Sequence, residues 1–211
     1  MTSTGPTATG PSSAEPTTAT PRDIHGPLIV VLPIILAFLS MLGPFSVDTP
    51  FPGFAHMRAE FGVGPAEMQW VVSAYLASFA IMSIFHGPLS DALGRKPVML
   101  TGVLVYAAAS VGCALSTSLG MLLVFRVIQG LSAGGGVIVS RTIIRDLYEG
   151  EQAQRLMSRV AMIFGLGPAI APIIGGLLLQ FGPWRTIFWF LVVYGVLMAL
   201  AIIFLLPETH P

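Results

Sequence analysis

One cysteine in 211 residues, and charge on only 9% of them, are the scarcities that shape this chain. A lone thiol, Cys113, excludes an intramolecular disulfide and leaves the redox compartment open. Set in an apolar run, it reads as a small apolar filler. Soluble domains carry roughly 25% charged residues, so this composition excludes an ordinary soluble fold. The 10 Lys and Arg are too few and too scattered for a nucleic-acid surface. His25, His56, His86 and His210 have no metal-ligand spacing, so neither metal nor cofactor is expected. The first residues lack a basic start followed by an apolar core, so they are not expected to be a signal peptide. Glycines are plentiful, at Gly165-Leu-Gly167 and from Gly130 to Gly136, but no strand–turn–helix surrounds them to make a nucleotide loop.

What the chain has is hydrophobicity: 54% apolar residues and a mean hydropathy of +0.82. A helix needs about 20 apolar residues to cross a hydrocarbon core of about 30 Å. Six segments meet that length, at 28–47, 69–89, 97–117, 119–140, 157–179 and 185–206. Barrel-like alternation is missing, and open sheet edges cannot be satisfied in lipid. The expectation is therefore an all-α membrane protein, a six-helix bundle over 28–206 in contact with lipid. Residues 1–27, rich in Thr, Ser, Ala, Pro and Gly, bury too little to offset ordering entropy and read as a disordered tail. Residues 207–211 read as the start of a central loop.

Orientation follows from the basic residues in the connections. With the N-terminus inside, the inner segments hold Arg22, Arg95, Lys96, Arg141, Arg145, Arg155 and Arg159. The outer ones hold only Arg58 and Arg185. Both termini are expected in the cytoplasm. Within the outer connection 48–68, the stretch from Phe54 to Phe61 suits a short interfacial helix, and Pro65 with Glu67 suits the start of the second span. On the inner side, mixed charge at three- and four-residue spacing from Arg141 to Arg159 favours a surface helix.

Four stretches stand out as carriers of function. Between spans 2 and 3, residues 87–100 read Gly-Pro-Leu-Ser-Asp-Ala-Leu-Gly-Arg-Lys-Pro-Val-Met-Leu, a very short charged loop of pattern G-x-L-x-D-x-x-G-R-K. On span 4, Arg126-Val-Ile-Gln129-Gly130 puts Arg126, Gln129, Gly130 and Ala133 on one helical face. Arg126 lies about 9 Å below the outer surface by helical rise. At that depth it faces a cavity or an acidic partner, or snorkels outward. On span 5, Gly167-Pro168-Ala-Ile-Ala171-Pro172-Ile-Ile-Gly175-Gly176 repeats a small residue every four, a stripe for close helix packing, while Pro168 and Pro172 can bend the helix. Asp48 closes span 1 in Val47-Asp48-Thr49-Pro50-Phe51-Pro52, either capping the membrane boundary or sharing the outer half of the bundle with Arg126.

These motifs resemble those of the major facilitator superfamily, and Asp48-x-x-x-Pro52 resembles an element of its Bcr/CflA-type drug-resistance transporters. The likeness runs over roughly residues 30–209, with Trp184-Arg185-x-Ile-Phe-Trp189 and Leu206-Pro-Glu-Thr209 in their usual order. Ala92 and Ser83 depart from residues frequent in relatives. The resemblance implies a transporter rather than an enzyme: a drug/proton antiporter of the cytoplasmic membrane, with small drug-like molecules and protons as its cargo. It implies that Asp48, Arg126 and Gln129 serve the coupling cavity. It makes Gly87, Asp91, Gly94, Arg95, Lys96 and Asp146 an inner gate, and residues 167–176 an antiporter helix. Family transporters join two six-span halves, so this chain is expected to supply the N-terminal half. It would need a second six-helix half, either a C-terminal one or another copy of itself. Spans 1 and 4, with Arg126 and Gln129, would otherwise face lipid. A truncated, non-transporting remnant or assembly partner is the rival. An intramembrane serine protease is a remote one, since Gly130-Leu-Ser132-Ala133 misses a second glycine and only His86 lies in a span.

Overall fold

The computed structural model describes residues 28–148 and 150–206, with side chains from residue 32 onward. The expected tail at 1–27 and the loop start at 207–211 lie outside the described residues. Every element among those described is helical: α1 (Leu28–Asp48), a 3-10 turn (Phe51–Gly53), α2 (Phe54–Phe61), α3 (Pro65–Leu93), α4 (Arg95–Ala114), α5 (Leu119–Leu147), α6 (Gly150–Phe181) and α7 (Arg185–Leu205). Six of these are long and apolar enough to cross a membrane. The short helix expected at 54–61 is α2, and Pro65 opens α3, where its missing N–H costs nothing.

Three of the spans, α3, α5 and α6, are longer than the hydropathy suggested. Residues 87–93, expected as loop, complete α3, and a single residue, Gly94, separates it from α4. Gly94 sits at φ 96° and ψ 151°, a conformation that leaves no room for a Cβ and so demands glycine. The expected surface helix over 141–159 is likewise not separate. Its residues finish α5 and begin α6, and Tyr148, in an extended conformation, ends α5. Pairs such as Glu151 with Arg155, 2.6 Å apart, keep the polar turns helical beyond the apolar window.

Helix α5 is the central post, packed against α3, α4 and α1, while α4 also carries α7 and α1 carries α6. Small residues make that closeness possible. A Cβ on Gly130 would collide with the hydroxyl of Ser78 and the carbonyl of Tyr75, so α3 can lie against α5 only at glycine. The outward faces differ sharply between spans. In α5, 61% of the apolar window is buried, against 22% in α3 and 17% in α6. The apolar flanks of spans 2 and 5 are thus the least covered, with span 6 next. Ile81, Ile84 and Phe85 of α3, and Met162, Leu166 and Ile173 of α6, are more than half exposed.

Candidate functional site

Arg126 stands about two turns into α5 and is 0% exposed. Its Nε donates to the carbonyl of Val71 on α3 at 3.1 Å. Nη1 donates to the carbonyl of Ser46 on α1 at 2.8 Å, and to Oε1 of Gln129 at 2.7 Å. The Gln129 amide passes the chain on to Oγ of Ser110 on α4 at 2.7 Å. The ring of Tyr75 on α3 covers the guanidinium, its centroid 4.5 Å from Cζ. Arg126 thus pins together four helices.

No carboxylate among the described residues touches this guanidinium. Its charge is answered by dipoles: the C-terminal end of α1, a polarised helix terminus, and the face of an aromatic ring. The carbonyl of Ser46 is available for a reason written in the sequence. In a helix it would accept the N–H of residue 50, and Pro50 has none. The arginine fills the position that the proline leaves empty.

These contacts correct two expectations. Arg126 neither snorkels nor faces lipid, because turning inward gives it three acceptors and a ring. Nor does it pair with Asp48. Asp48 is half-buried and borders a cavity of about 240 Å³ between α1, α3 and α6, which Tyr75 also lines. Gly43, Pro44 and Val47 line it with Asp48, opposite Tyr75, Leu76 and Phe79 of α3 and Phe164 and Pro168 of α6. Asp48 is the single charged residue among those that border the cavity, whose wall itself presents only apolar atoms.

At the end of the bundle that holds Gly94, Arg95 bridges α3 and α5. Its Nε lies 3.0 Å from Oδ2 of Asp146, and its Nη1 pairs with Asp91 and donates to Oγ of Ser90 at 2.9 Å. The one-residue turn at Gly94 aims this guanidinium back along α3. Lys96 goes elsewhere, donating to the carbonyl of Ile203 at 3.0 Å on the last turn of α7. Gly87 faces open space.

The small-residue stripe of α6 lies where its spacing put it, against α1. Gly167 meets Pro44, Ala171 is fully buried, and a Cβ on Gly175 would overlap the carbonyl of Thr49. Pro168 borders the Asp48 cavity, Pro172 is half-buried within a continuous helix, and Gly176 faces open space.

Sequence reasoning did not reach Tyr75, Ser46, Ser110 or Glu60. Glu60 on α2 accepts from both Arg185 nitrogens, at 2.9 and 2.7 Å, and from the indole of Trp184 at 2.7 Å. Arg185 first, and Trp184 after it, hold this carboxyl below its ordinary titration range. The available signal was the adjacent Trp184 and Arg185 at the start of α7, with few acids on that side of the bundle to receive them.

The sequence profile of the Major Facilitator Superfamily matches residues 36–211. The chain belongs to the Major Facilitator Superfamily. Among its relatives in that superfamily is a bicyclomycin resistance protein homolog of Haemophilus influenzae, 35% identical over 177 residues. That alignment covers 84% of this chain and 44% of the relative. Multidrug resistance protein D of Escherichia coli is 33% identical, over 86% of this chain and 46% of its own. The chain spans somewhat under half the length of these relatives. The superfamily fold is plain in solved structures too. The proton:xylose symporter XylE superposes with a TM-score of 0.77 at 14% identity, over 86% of this chain and 45% of that one. The human organic anion transporter MFSD10 (TETRAN) superposes at 0.65 with 25% identity, over 89% and 49%. The protein is thus a multi-pass membrane protein with the transporter fold and drug-resistance relatives.

Proposed function

We propose that the chain forms one six-helix half of a drug/proton antiporter of the cytoplasmic membrane. Both termini face the cytoplasm, as the distribution of Lys and Arg supports. The reading is carried by an apolar, aromatic cavity between α1, α3 and α6 that is bordered by a single charged residue, Asp48. Such a wall suits a small lipophilic molecule, and the Asp48 carboxylate at its border can take a proton when the molecule leaves. Arg95, bridging Asp91 and Asp146, serves as the inner gate, tying α3 to α5 until the bundle rocks. The stripe Gly167, Ala171 and Gly175 keeps α6 against α1 so that both move as one wall.

The uncovered flanks of α3 and α6 supply the surface for a second six-helix half, either a C-terminal half or another copy. Alternating access needs two bundles rocking about a site between them. The test is dye efflux from proteoliposomes under an imposed pH gradient, with the chain monomeric or assembled with a second bundle. Efflux is expected only from the assembly, and Asp48→Asn is expected to remove its dependence on the gradient. Gradient-driven efflux by the strict monomer would overturn the half-transporter reading. Full pH dependence in Asp48→Asn would move coupling to another residue.

A further inference from the structure

The row of small residues on α6 stops short of the helix start. Followed backward from Gly175 in steps of four, it runs Ala171, Gly167, Ile163, Arg159. Where the row is small, α1 and α6 meet closely, at Thr49 on Gly175 and at Pro44 on Gly167. Where it turns bulky, the helices stand apart and leave a groove of about 360 Å³. Pro33, Ile34 and Ala37 of α1 form one wall, and Leu156, Val160 and Ile163 of α6 the other. Arg159 completes the lining and is the only residue there with a polar side chain. The same arginine borders a second recess, of about 410 Å³, with Glu151, Gln154, Arg155 and Ser158.

Arg159 is exposed, and no ion pair holds it among the described residues. Its neighbour Arg155 is taken by Glu151 at 2.6 Å. Beyond Arg159 the chain carries no charge until Arg185, so this arginine marks the level at which α6 enters the apolar layer. It lies at the end of the bundle where Arg95 meets Asp146, because α6 starts just after α5 ends. An unpaired cation at that depth, with a polar recess on one side and an apolar groove on the other, fits an anion that carries a hydrocarbon chain. We propose that this seam binds an anionic phospholipid, its phosphate on Arg159 and one acyl chain between α1 and α6. From Leu156 to Ile163 the groove runs about 10 Å along α6 by helical rise, enough for the upper part of a chain. Gln154 and Ser158 face the headgroup as hydrogen-bonding partners. The lipid thereby ties α1 to α6 at the end of the seam that the small residues leave open. This inference goes beyond the transport reading and does not rest on it.

Native mass spectrometry of the full chain in detergent resolves individual bound lipids, with dioleoyl phosphatidylglycerol and dioleoyl phosphatidylcholine as the probes. Wild type is expected to retain phosphatidylglycerol about fivefold better, the preference that one arginine gives for an anionic lipid. Arg159→Gln is expected to lose that preference, and Arg159→Lys to keep most of it. Ile34→Trp fills the groove from an exposed position and is expected to weaken both lipids. Arg141→Gln removes an exposed charge outside both recesses and is expected to bind like wild type. Equal retention of the two lipids by wild type, equal loss in Arg141→Gln, or unchanged binding in Ile34→Trp would each overturn the proposal. So would displacement of the lipid by excess inorganic phosphate, which would leave only a free-anion site. A preference that emerges only once residues 1–27 are removed would give the groove to the chain's own N-terminal segment. A dimer that Arg159→Gln dissociates with lipid binding unchanged would give it to a second copy, and either result overturns the lipid.

Discussion

Glu60 and Arg185, far apart in the chain, meet through a two-pronged ion pair that ties α2 to the start of α7. Arg185 Nη2 also donates to the carbonyl of Ser116 at 2.9 Å, so the turn between α4 and α5 joins the same knot. Its acid dependence follows from the depressed carboxyl. A carboxyl that titrates lower when folded stabilises above its ordinary value, near 4.5, and loses that contribution as pH falls through the folded value. Glu60→Gln should therefore unfold at lower temperature than wild type at neutral pH. The gap should close as the pH drops below the ordinary carboxylate range. Thermal unfolding in detergent across pH checks it, and a gap that widens in acid would contradict it.

The network of Arg126 makes a second prediction, in stability rather than transport. Arg126→Met orphans the carbonyl of Ser46, which has no backbone donor to fall back on. A buried group so stranded costs about 1–3 kcal/mol. Pro50→Ala restores an N–H at residue 50 and should recover part of the loss, although alone it should gain nothing. A double-mutant cycle of unfolding midpoints reads the coupling, and simple additivity would speak against the proline account.

The contact between α1 and α6 predicts opposite fates for adjacent glycines. Gly175→Val should destabilise by about 1–3 kcal/mol, since its branches would enter the backbone of Thr49. Gly176→Val faces open space and should stay close to wild type, within about 0.5 kcal/mol. Urea or SDS titration of the two proteins separates them.

Topology is testable on exposed positions. In a Cys113→Ala background, Ala55→Cys on α2 should react with an impermeant maleimide in intact cells. Gln152→Cys on α6 should react only after lysis. Labelling of Gln152→Cys from outside would invert the orientation.

The six spans, the α2 turn and the α6 stripe were legible because each is a matter of spacing and hydropathy, which are properties of the chain alone. The ends of α3, α5 and α6 were not, since polar helical turns beyond the membrane look like loop when only apolarity is counted. Arg126 was found by its motif, but its partners could not be. Three of its contacts are to backbone carbonyls or a ring on other helices, and no side-chain pattern announces a carbonyl. Asp48 and Arg126 looked like partners because opposite charges at matching depth suggest a pair. The ring of Tyr75 over the guanidinium depends on how α3 rotates against α5, which Gly130 permits and nothing local dictates.

Pro50 has one more effect, and it concerns inheritance rather than mechanics. Because the ring of Pro50 withholds a donor from α1, the vacancy and the arginine that fills it form a lock and key encoded 76 positions apart. A lineage that replaced Pro50 would satisfy the Ser46 carbonyl within its own helix, and the arginine would lose its strongest reason to point inward. A lineage that lost Arg126 first would carry a stranded carbonyl until the proline followed. The two sites should therefore drift in step, one change licensing the other, across proteins related to this chain.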